Sequence, residues 1–559
     1  MAQTVSRRSF VIGAGTAACM ATTNGAALAG EAAGGAFWMP AAWDRESDIV
    51  IVGFGAAGAN AGIAAIKAGA EPLILEAAPR ELRGGNSGVC GGGWICPTDA
   101  DAYAEFLYRL NLCVDDKDEL REFAESLSGM CDWMDELEID WMDTHRTGFN
   151  FYPKSFPEMA DTMNNSMHGV AETGMEHHAM ADADGNQAMG GKYFYEPMAS
   201  AYEGLGGEVL YETRGLELVQ NLQTGEILGV KAEDSNGSIM YIKARRGVIL
   251  ACGGYEANHE YTDNYVLPNM NIGVTGGPYN RGDGVRMAAH AGAKLRHMSC
   301  YEWQGYGIRL FPNDPVMFMV TTSTNWHTEN RIIMVNKYGK RFYREDKRMG
   351  HTRTFPGTEF DGFADSTDTI NDYAGAPAFA IFDQARFEEG AGNFYGGTDK
   401  LAMGWFGQHD LYKWSDDNSA ELASGIIVQA DTLEELAVKL GFVDADVFAD
   451  TVARYNGFVD AGMDEDFGRD PASMVKIETA PFYAIEVWPS LLNTQGGPVR
   501  KSLTSRVLDE EGNEIPRLYS AGELGSRFGL VYHGSGNTTE ACMSGKIAAE
   551  DAAALDPWE

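Results

Sequence analysis

An α/β fold with a parallel sheet is predicted by three segments, residues 48–58, 246–255 and 518–523, in which a short apolar run ends in glycine or another small residue. The first is the most specific. Residues 48–52 read as a buried strand, and Gly53, Gly55 and Gly58 form G-x-G-x-x-G around Ala56 and Ala57. An Ala-rich helical stretch follows, and residues 73–75 return as a strand ending at Glu76 and Ala77. In such a Rossmann-like unit Gly53 allows the tight turn, Gly55 lets a pyrophosphate approach the backbone, and Gly58 lets helix pack on strand. Glu76 is placed to accept hydrogen bonds from an adenosine ribose, and the phosphates meet free N–H groups at the helix N-terminus.

The elements follow in order. Residues 1–29 stand apart from the fold: Ser6-Arg7-Arg8-Ser9-Phe10-Val11, a Gly/Ala stretch and Ala27-Leu28-Ala29 resemble a twin-arginine export signal with its cleavage site. The apolar part is too short and too rich in small residues to span a bilayer. The mature chain is therefore expected to carry no integral membrane segment and to work in the periplasm or on the outer face of the cytoplasmic membrane. Residues 30–46 are a Gly/Ala-rich linker.

Residues 101–145 read as helices, with apolar positions at helical spacing in 120–127 and 133–137. Residues 148–190 lack periodicity and read as a long irregular excursion, with His168, His177 and His178 as solvated loop histidines. Residues 209–219 and 229–232 read as strands joined by a turn at 223–226, feeding the strand at 248–251. From about 300 to 491 the chain has its own strands and helices, including 433–440 and 444–461.

With 559 residues the chain is long enough for two or three domains. Its formal charge of -38 is spread along the sequence and opposes binding to nucleic acid or anionic lipid. Nucleic acid is excluded as a partner on that ground. None of the eight cysteines forms C-x-x-C or a ferredoxin-like run, so no metal, attached haem or iron–sulfur cluster is predicted. Cys90 and Cys96 flank residues 91–94 and are a candidate pair; buried thiols are the default reading for the others.

Three further runs carry a family resemblance. Arg83-Gly84-Gly85-Asn86-Ser87, Ala251-Cys252-Gly253-Gly254-Tyr255 and Ser520-Ala521-Gly522-Glu523 resemble the FAD-binding pattern of the fumarate reductase and 3-ketosteroid dehydrogenase flavoproteins. The resemblance implies a glutathione-reductase-type, Rossmann-like FAD-binding domain in two parts, residues 47–299 and 492–559. An α+β capping domain, residues 300–491, is inserted between them. It implies non-covalent FAD held by Gly53, Gly55, Ala56, Ala57, Gly58, Glu76 and Ala77. Gly84, Gly85, Asn86, Ser87, Gly92, Gly93, Ala251 and Gly253 would add to this set. So would Asp283 in a G-D-G turn where Arg281 replaces the family's threonine, then Gly522, Glu523, Asn537 and Thr538.

FAD alone does not name a reaction, since the protein's part is to position and polarise the substrate. Fumarate reductases clamp a dicarboxylate with histidines and arginines and protonate it from a cap arginine. Here Asn493 stands in place of the histidine before T-x-G-G, and His533 in place of the arginine of R-x-G-G-N. The cap motif G-K-R-F-x-x-E survives from Gly339 to Glu345, but Met349 occupies the donor position with Arg348 one residue early. Bidentate arginines are what a carboxylate clamp needs, so their loss argues against fumarate. Tyr532-His533-Gly534-Ser535-Gly536 resembles the Y-P-G-x-G of the ketosteroid dehydrogenases, which implies Tyr532 and the Gly536 N–H as donors to a substrate carbonyl. Arg348 is the first choice for the proton, Tyr343 and Arg344 are the alternatives, and Glu345 would orient an arginine acid. Tyr301, Trp303, Tyr306, Phe342 and Trp488 are candidates to line an apolar pocket.

The expected function is an exported FAD-dependent reductase acting on the activated double bond of a small enone, enoate or unsaturated lactone. A membrane-associated cytochrome would donate the electrons and the reaction would serve as a respiratory electron sink. The alternatives are a ketosteroid-type dehydrogenase running the other way and a non-catalytic flavoprotein.

Overall fold

The computed structural model describes residues 39–111, 113–143, 174–188, 190–268, 270–311, 314–319, 332–346, 360–361, 372–390, 404–528 and 535–558. The predicted export signal lies outside these residues. No described helix is long and apolar enough to cross a membrane.

Strand β1 (Arg45–Val52) is buried over its last six residues and enters a turn at Gly53. Gly53 has φ 104°, and a Cβ there would lie 2.4 Å from the Ala251 carbonyl oxygen, so both conformation and space demand glycine. Helix α1 (Ala56–Lys67) follows, buried from Ala56 to Ala65, then strand β2 (Pro72–Leu75), buried throughout. Strand β3 (Gly93–Pro97) leads into α2 (Ala100–Leu110), α3 (Lys117–Leu127) and α4 (Met130–Glu136). Asp99 and Asp116 cap α2 and α3 through their side chains, each cap worth about 1 kcal/mol. The helical spacing read at 120–137 is real core: Leu120, Phe123, Leu127, Trp133 and Met134 are all buried in one cluster.

Strand β4 (Trp141–Asp143) and strand β5 (Met175–Ala181) form an antiparallel sheet in the order β3–β5–β4. Over residues 174–188 this corrects the expected irregular excursion, whose earlier part, residues 148–173, lies outside the described residues. His177 and His178 are 4% and 1% exposed rather than solvated, while His168 lies outside the described residues. Four consecutive residues of β5, His177 to Met180, are buried because both of its faces are covered, so the segment lacks the alternation that marks a half-exposed strand.

Helix α5 (Gly191–Gly204) leads to β6 (Glu208–Leu210), β7 (Thr213–Gln220), β8 (Ile227–Asp234) and β9 (Ile239–Leu250). The single strand expected at 209–219 is two, broken at Glu212, whose φ of 52° is left-handed. Helix α6 (Asp283–His290) precedes the second sheet, made of β10 (Tyr301–Ile308), β11 (Ile333–Asn336), β12 (Ala378–Asp383), β13 (Ile427–Ala430) and β14 (Phe482–Thr494). Helices α7 (Leu433–Leu440) and α8 (Ala445–Ala461) pack on it, capped by Thr432 and Asp444. The chain ends with β15 (Arg506–Leu508), β16 (Glu514–Ser520) and α9 (Gly536–Ala553).

The first sheet runs β15–β16–β9–β1–β2–β6, with β8 paired to β9 and β7 to β8. Its central pairs are parallel, with Val52 in register with Leu75 and Leu250, and Leu250 with Ser520. Four chain segments therefore leave the sheet at one edge, the carboxyl edge where doubly wound folds bind ligands. In the second sheet the 13-residue β14 is the spine, antiparallel to β10, β12 and β13 and parallel to residues 273–274. Its last residue, Thr494, bonds to Glu256 of the first domain, so one strand carries the cap down to the cofactor edge.

Candidate active site

The start of α1 is built for an anion. Its N-cap residue Gly55 offers no side-chain cap, and the Ala56 N–H meets Ser87 Oγ at 3.2 Å. A Cβ on Gly55 would stand 3.5 Å from the Gly84 carbonyl oxygen and 3.6 Å from Ser87 Oγ, which is ordinary van der Waals contact. At the end of β2 the buried Glu76 accepts N–H bonds from Phe54 and Ala78, both 2.7 Å. Burial raises its pKa against the pull of these N–H groups, with the Ala77 N–H adding to them.

Gly84 and Gly85 take φ of 105° and 52° and open a short helical turn, residues 85–89. From it Asn86 donates to Glu256 Oε1 at 2.8 Å and to Glu523 Oε2 at 3.1 Å. Asn280 and Thr494 also donate to Glu256, at 2.7 and 2.8 Å. One amide thus ties together the segments after β2, β9 and β16, including Ala251, Gly253 and Gly522. Two buried acids share it. Burial, then the Glu256 charge, pushes the Glu523 carboxyl up to about 8, and burial raises Glu256 as well. Asp283, at the start of α6, is neutralised by Arg214 and Arg286 at 2.5 and 3.1 Å.

Helix α9 is the second uncapped start. Its N-cap Ser535 has φ 68° and makes no side-chain cap bond, so Gly536 begins an 18-residue helix with free N–H groups. Asn537 follows with both amide atoms buried and unpartnered. Thr538 Oγ1 donates to the Gly93 carbonyl at 2.7 Å and Thr539 bridges Ile95, fastening α9 to β3. His177 Nε2 lies 2.9 Å from Ser535 Oγ. A Cβ on Gly93 would come within 2.7 Å of Ser535 Oγ and 3.0 Å of His177 Nε2, so Gly93 leaves room for this pair, while Gly92, with φ 80°, packs against Gly190. Sequence reasoning missed it because 358 residues separate its members and β5 was taken for a loop.

Of the expected catalytic residues, Tyr532 and Arg348 lie outside the described residues, as do His533 and Met349. Tyr343 is buried in the cap core against Phe342, and burial holds its pKa well above the ordinary value. Arg344 is paired with Asp346, Nε to Oδ1 2.7 Å. Glu345 does hold arginines, but they are Arg341 at 2.7 Å and Arg469 at 3.2 Å, with Arg341 also 3.0 Å from Asp464. This is a fully buried network that fixes the cap. Trp303 and Tyr306 are likewise cap core, with Tyr301, Phe342 and Trp488 packed against it. Asn493, in place of the clamp histidine, donates to the buried Glu302 at 3.2 Å. No disulfide joins the described cysteines; Cys96 is in contact with Cys131, not with Cys90.

An uncapped helix start with a glycine cradle, a buried acid at the ribose position and an orphaned amide at a second helix start fit a flavin dinucleotide. The arrangement defines an FAD-dependent oxidoreductase with a Rossmann-type domain and a cap. The chain belongs to the FAD binding domain family, which it matches over residues 48–539. It is 28% identical to the digoxin reductase of Eggerthella lenta over 92% of this chain and 89% of that one. It is 27% identical to the 3-oxosteroid 1-dehydrogenase of Mycolicibacterium smegmatis, over 91% and 98% of the two chains. The NADH:acrylate oxidoreductase of Vibrio harveyi is 27% identical over 99% of this chain, which spans 55% of that protein. The open form of a flavocytochrome c3 fumarate reductase shares the fold with a TM-score of 0.64 at 23% identity, over 91% of this chain and 78% of that one. So does the 3-ketosteroid delta1-dehydrogenase of Sterolibacterium denitrificans, with a TM-score of 0.64 at 21% identity, over 91% and 100%. These relatives make the chain a fumarate reductase-like and ketosteroid dehydrogenase-like enzyme acting on CH–CH groups.

Proposed function

We propose that this protein is an exported reductase that saturates an activated carbon–carbon double bond in an enone, enoate or unsaturated lactone. One observation carries the reading: Asn493 is bonded to the buried Glu302 where a dicarboxylate reductase needs a cation, so that side of the cleft disfavours a substrate carboxylate. A neutral carbonyl suits the site better. The Gly536 N–H, at the positive end of α9, is a fixed donor to a carbonyl oxygen that gains charge. Tyr532 supplies the second donor by its place in the Tyr532-His533-Gly534-Ser535-Gly536 motif, each such donor being worth about 3 kcal/mol of barrier. When bound, reduced FAD would supply the hydride. The proton for the other carbon comes from Arg348, and the His177–Ser535 pair holds a further proton at the start of α9.

The full-length match to a digoxin reductase supports the reductive direction. The equally long match to a 3-oxosteroid 1-dehydrogenase supports the second reading, desaturation of a ring ketone. Export by the twin-arginine route and a membrane-associated cytochrome donor rest on residues 6–11 and on the fold shared with a flavocytochrome.

The test is a pair of variants. Tyr532→Phe is expected to slow reoxidation of the reduced enzyme by about a hundredfold with flavin content unchanged, and Arg348→Met to leave substrate bound to reduced enzyme. Normal turnover of Tyr532→Phe, with a raised KM after loss of a cap arginine, would mean that a carboxylate holds the substrate.

A further inference from the structure

Where β10 and β14 run together to the cofactor edge, their ladder carries a row of buried amides. Glu302 stands opposite Asn493, and the register slips on both sides of Trp303, which leaves Leu492 and Gln304 as extra residues on the two strands. Such bulges re-aim side chains and gather beside active sites. Trp303 and Leu491 are cap core, and their neighbours Glu302 and Asn493 meet each other instead, Nδ2 to Oε2 3.2 Å. One residue on, Thr494 takes the Tyr255 N–H and donates to Glu256, and the Gln495 carbonyl accepts from the Ser526 N–H at 3.2 Å. The row therefore ends between the flavin edge and the segment that leads to Tyr532 and Gly536.

Gln304, Asn493 and Gln495 are 3%, 3% and 2% exposed, and the side-chain oxygen of each has no hydrogen-bond partner. For Asn493 the orientation of the amide is forced, because a carboxylate only accepts: Nδ2 faces Glu302 and Oδ1 is left over. Buried acceptors are as a rule paired, so this row is completed by a group that donates.

We propose that the row recognises a neutral hydroxyl group of the substrate, separate from the carbonyl assigned to the Gly536 N–H. The inference rests on the reading of the protein as a reductase of neutral enones or lactones and narrows it to hydroxylated ones. A hydroxyl brings the donor that the row lacks, and its own oxygen accepts from an amide N–H. A carboxylate brings only acceptors and meets Glu302. An ammonium group would shed its water among amides that carry no charge, with the one carboxylate already committed to Asn493. A C–H bond at the same place leaves the oxygens buried and unpaired, which is how a polar pocket rejects an analogue that merely lacks a hydroxyl. No local pattern betrays the row, because two bulges and a strand pairing assemble it across nearly two hundred residues, 191 between Glu302 and Asn493.

The experiment reads binding, not turnover. Full-length protein with oxidised FAD is titrated with pairs of neutral cyclic enones and unsaturated lactones that differ only in a hydroxyl or a hydrogen at one ring position, and Kd is taken from the shift of the flavin spectrum. For at least one position the hydroxylated member is expected to bind about ten- to hundredfold more tightly. Gln304→Met and Gln495→Met keep the length of the side chain and lose the amide, so each should bring that ratio down towards one. Flavin content and circular dichroism report that the variants are folded. Equal Kd within every pair, failure of every compound to bind, or a ratio that both methionine variants leave untouched would overturn the site and leave the three oxygens to buried water. A binding ratio that holds while no compound reoxidises the reduced enzyme would instead overturn the reductase reading alone.

Discussion

His177 Nε2 stands 2.9 Å from the hydroxyl of Ser535, the residue that starts the helix carrying Gly536. The pair joins β5 to α9 beside Gly93, so an imidazole and a hydroxyl share a proton where the flavin loop meets the proposed carbonyl site. His177→Gln is expected to keep its flavin but to react more slowly with an acceptor. Positioned acid–base groups are worth about a hundredfold or more, and stopped-flow absorbance would show the loss. An unchanged rate and pH profile would make the pair a strand-to-helix tie only.

Gly55→Val should give a folded, colourless protein. The new Cβ meets Gly84 and Ser87 at ordinary contact distances, so the backbone tolerates it, while the two methyl groups fill the space over the start of α1. Circular dichroism would report the fold and absorbance the flavin. Full FAD occupancy in this variant would remove the pyrophosphate from that helix.

Glu523 makes stability depend on pH in a defined direction. Its pKa is raised by burial to about 8, so the folded state holds a proton that the unfolded state releases near the ordinary 4.5. Its contribution is complete at low pH and is lost as pH rises through the folded value. Glu523→Gln, which stays neutral, should therefore gain on the parent protein in Tm as the buffer goes from about pH 5 to about pH 9. A Tm difference that is flat across this range would place the proton elsewhere in the Glu256–Asn86–Glu523 cluster.

Glu345 lies between Arg341 and Arg469 with no exposure of any of the three beyond a few per cent. Glu345→Gln removes the buried carboxylate that Arg469 and Arg341 share and leaves Arg341 with Asp464, a change worth about 3 kcal/mol or more. Thermal or denaturant unfolding should show that loss. A catalytic relay, by contrast, would lower turnover with stability intact.

What the sequence revealed follows from where the information sits. The cofactor edge was readable because each crossing of the sheet ends in small residues at fixed spacing: Gly53, Gly55 and Gly58, then Gly253, then Gly522. Helices α7 and α8 were readable from their apolar spacing, while their caps, Thr432 and Asp444, emerged only with the structure. Strand β5 was hidden because burial on both faces removes alternation, and with it went His177 and His178. The Asn86–Glu256–Glu523 cluster was hidden for another reason: it is assembled across long chain separations by the sheet register, which leaves no mark on local sequence. Glu345 is the reverse case, a residue of a surviving family motif that the structure holds in a buried ion-pair network of the cap.

Anaerobic mixing of chemically reduced enzyme with a panel of enones, enoates and unsaturated lactones tests the proposed activity most directly, with flavin absorbance and product analysis read together. Reduction of a double bond predicts reoxidation of the flavin by at least one acceptor and one equivalent of saturated product per flavin. Flavin that stays reduced with every acceptor, together with bleaching of the oxidised enzyme by a saturated ring ketone, would contradict it and make the protein a dehydrogenase.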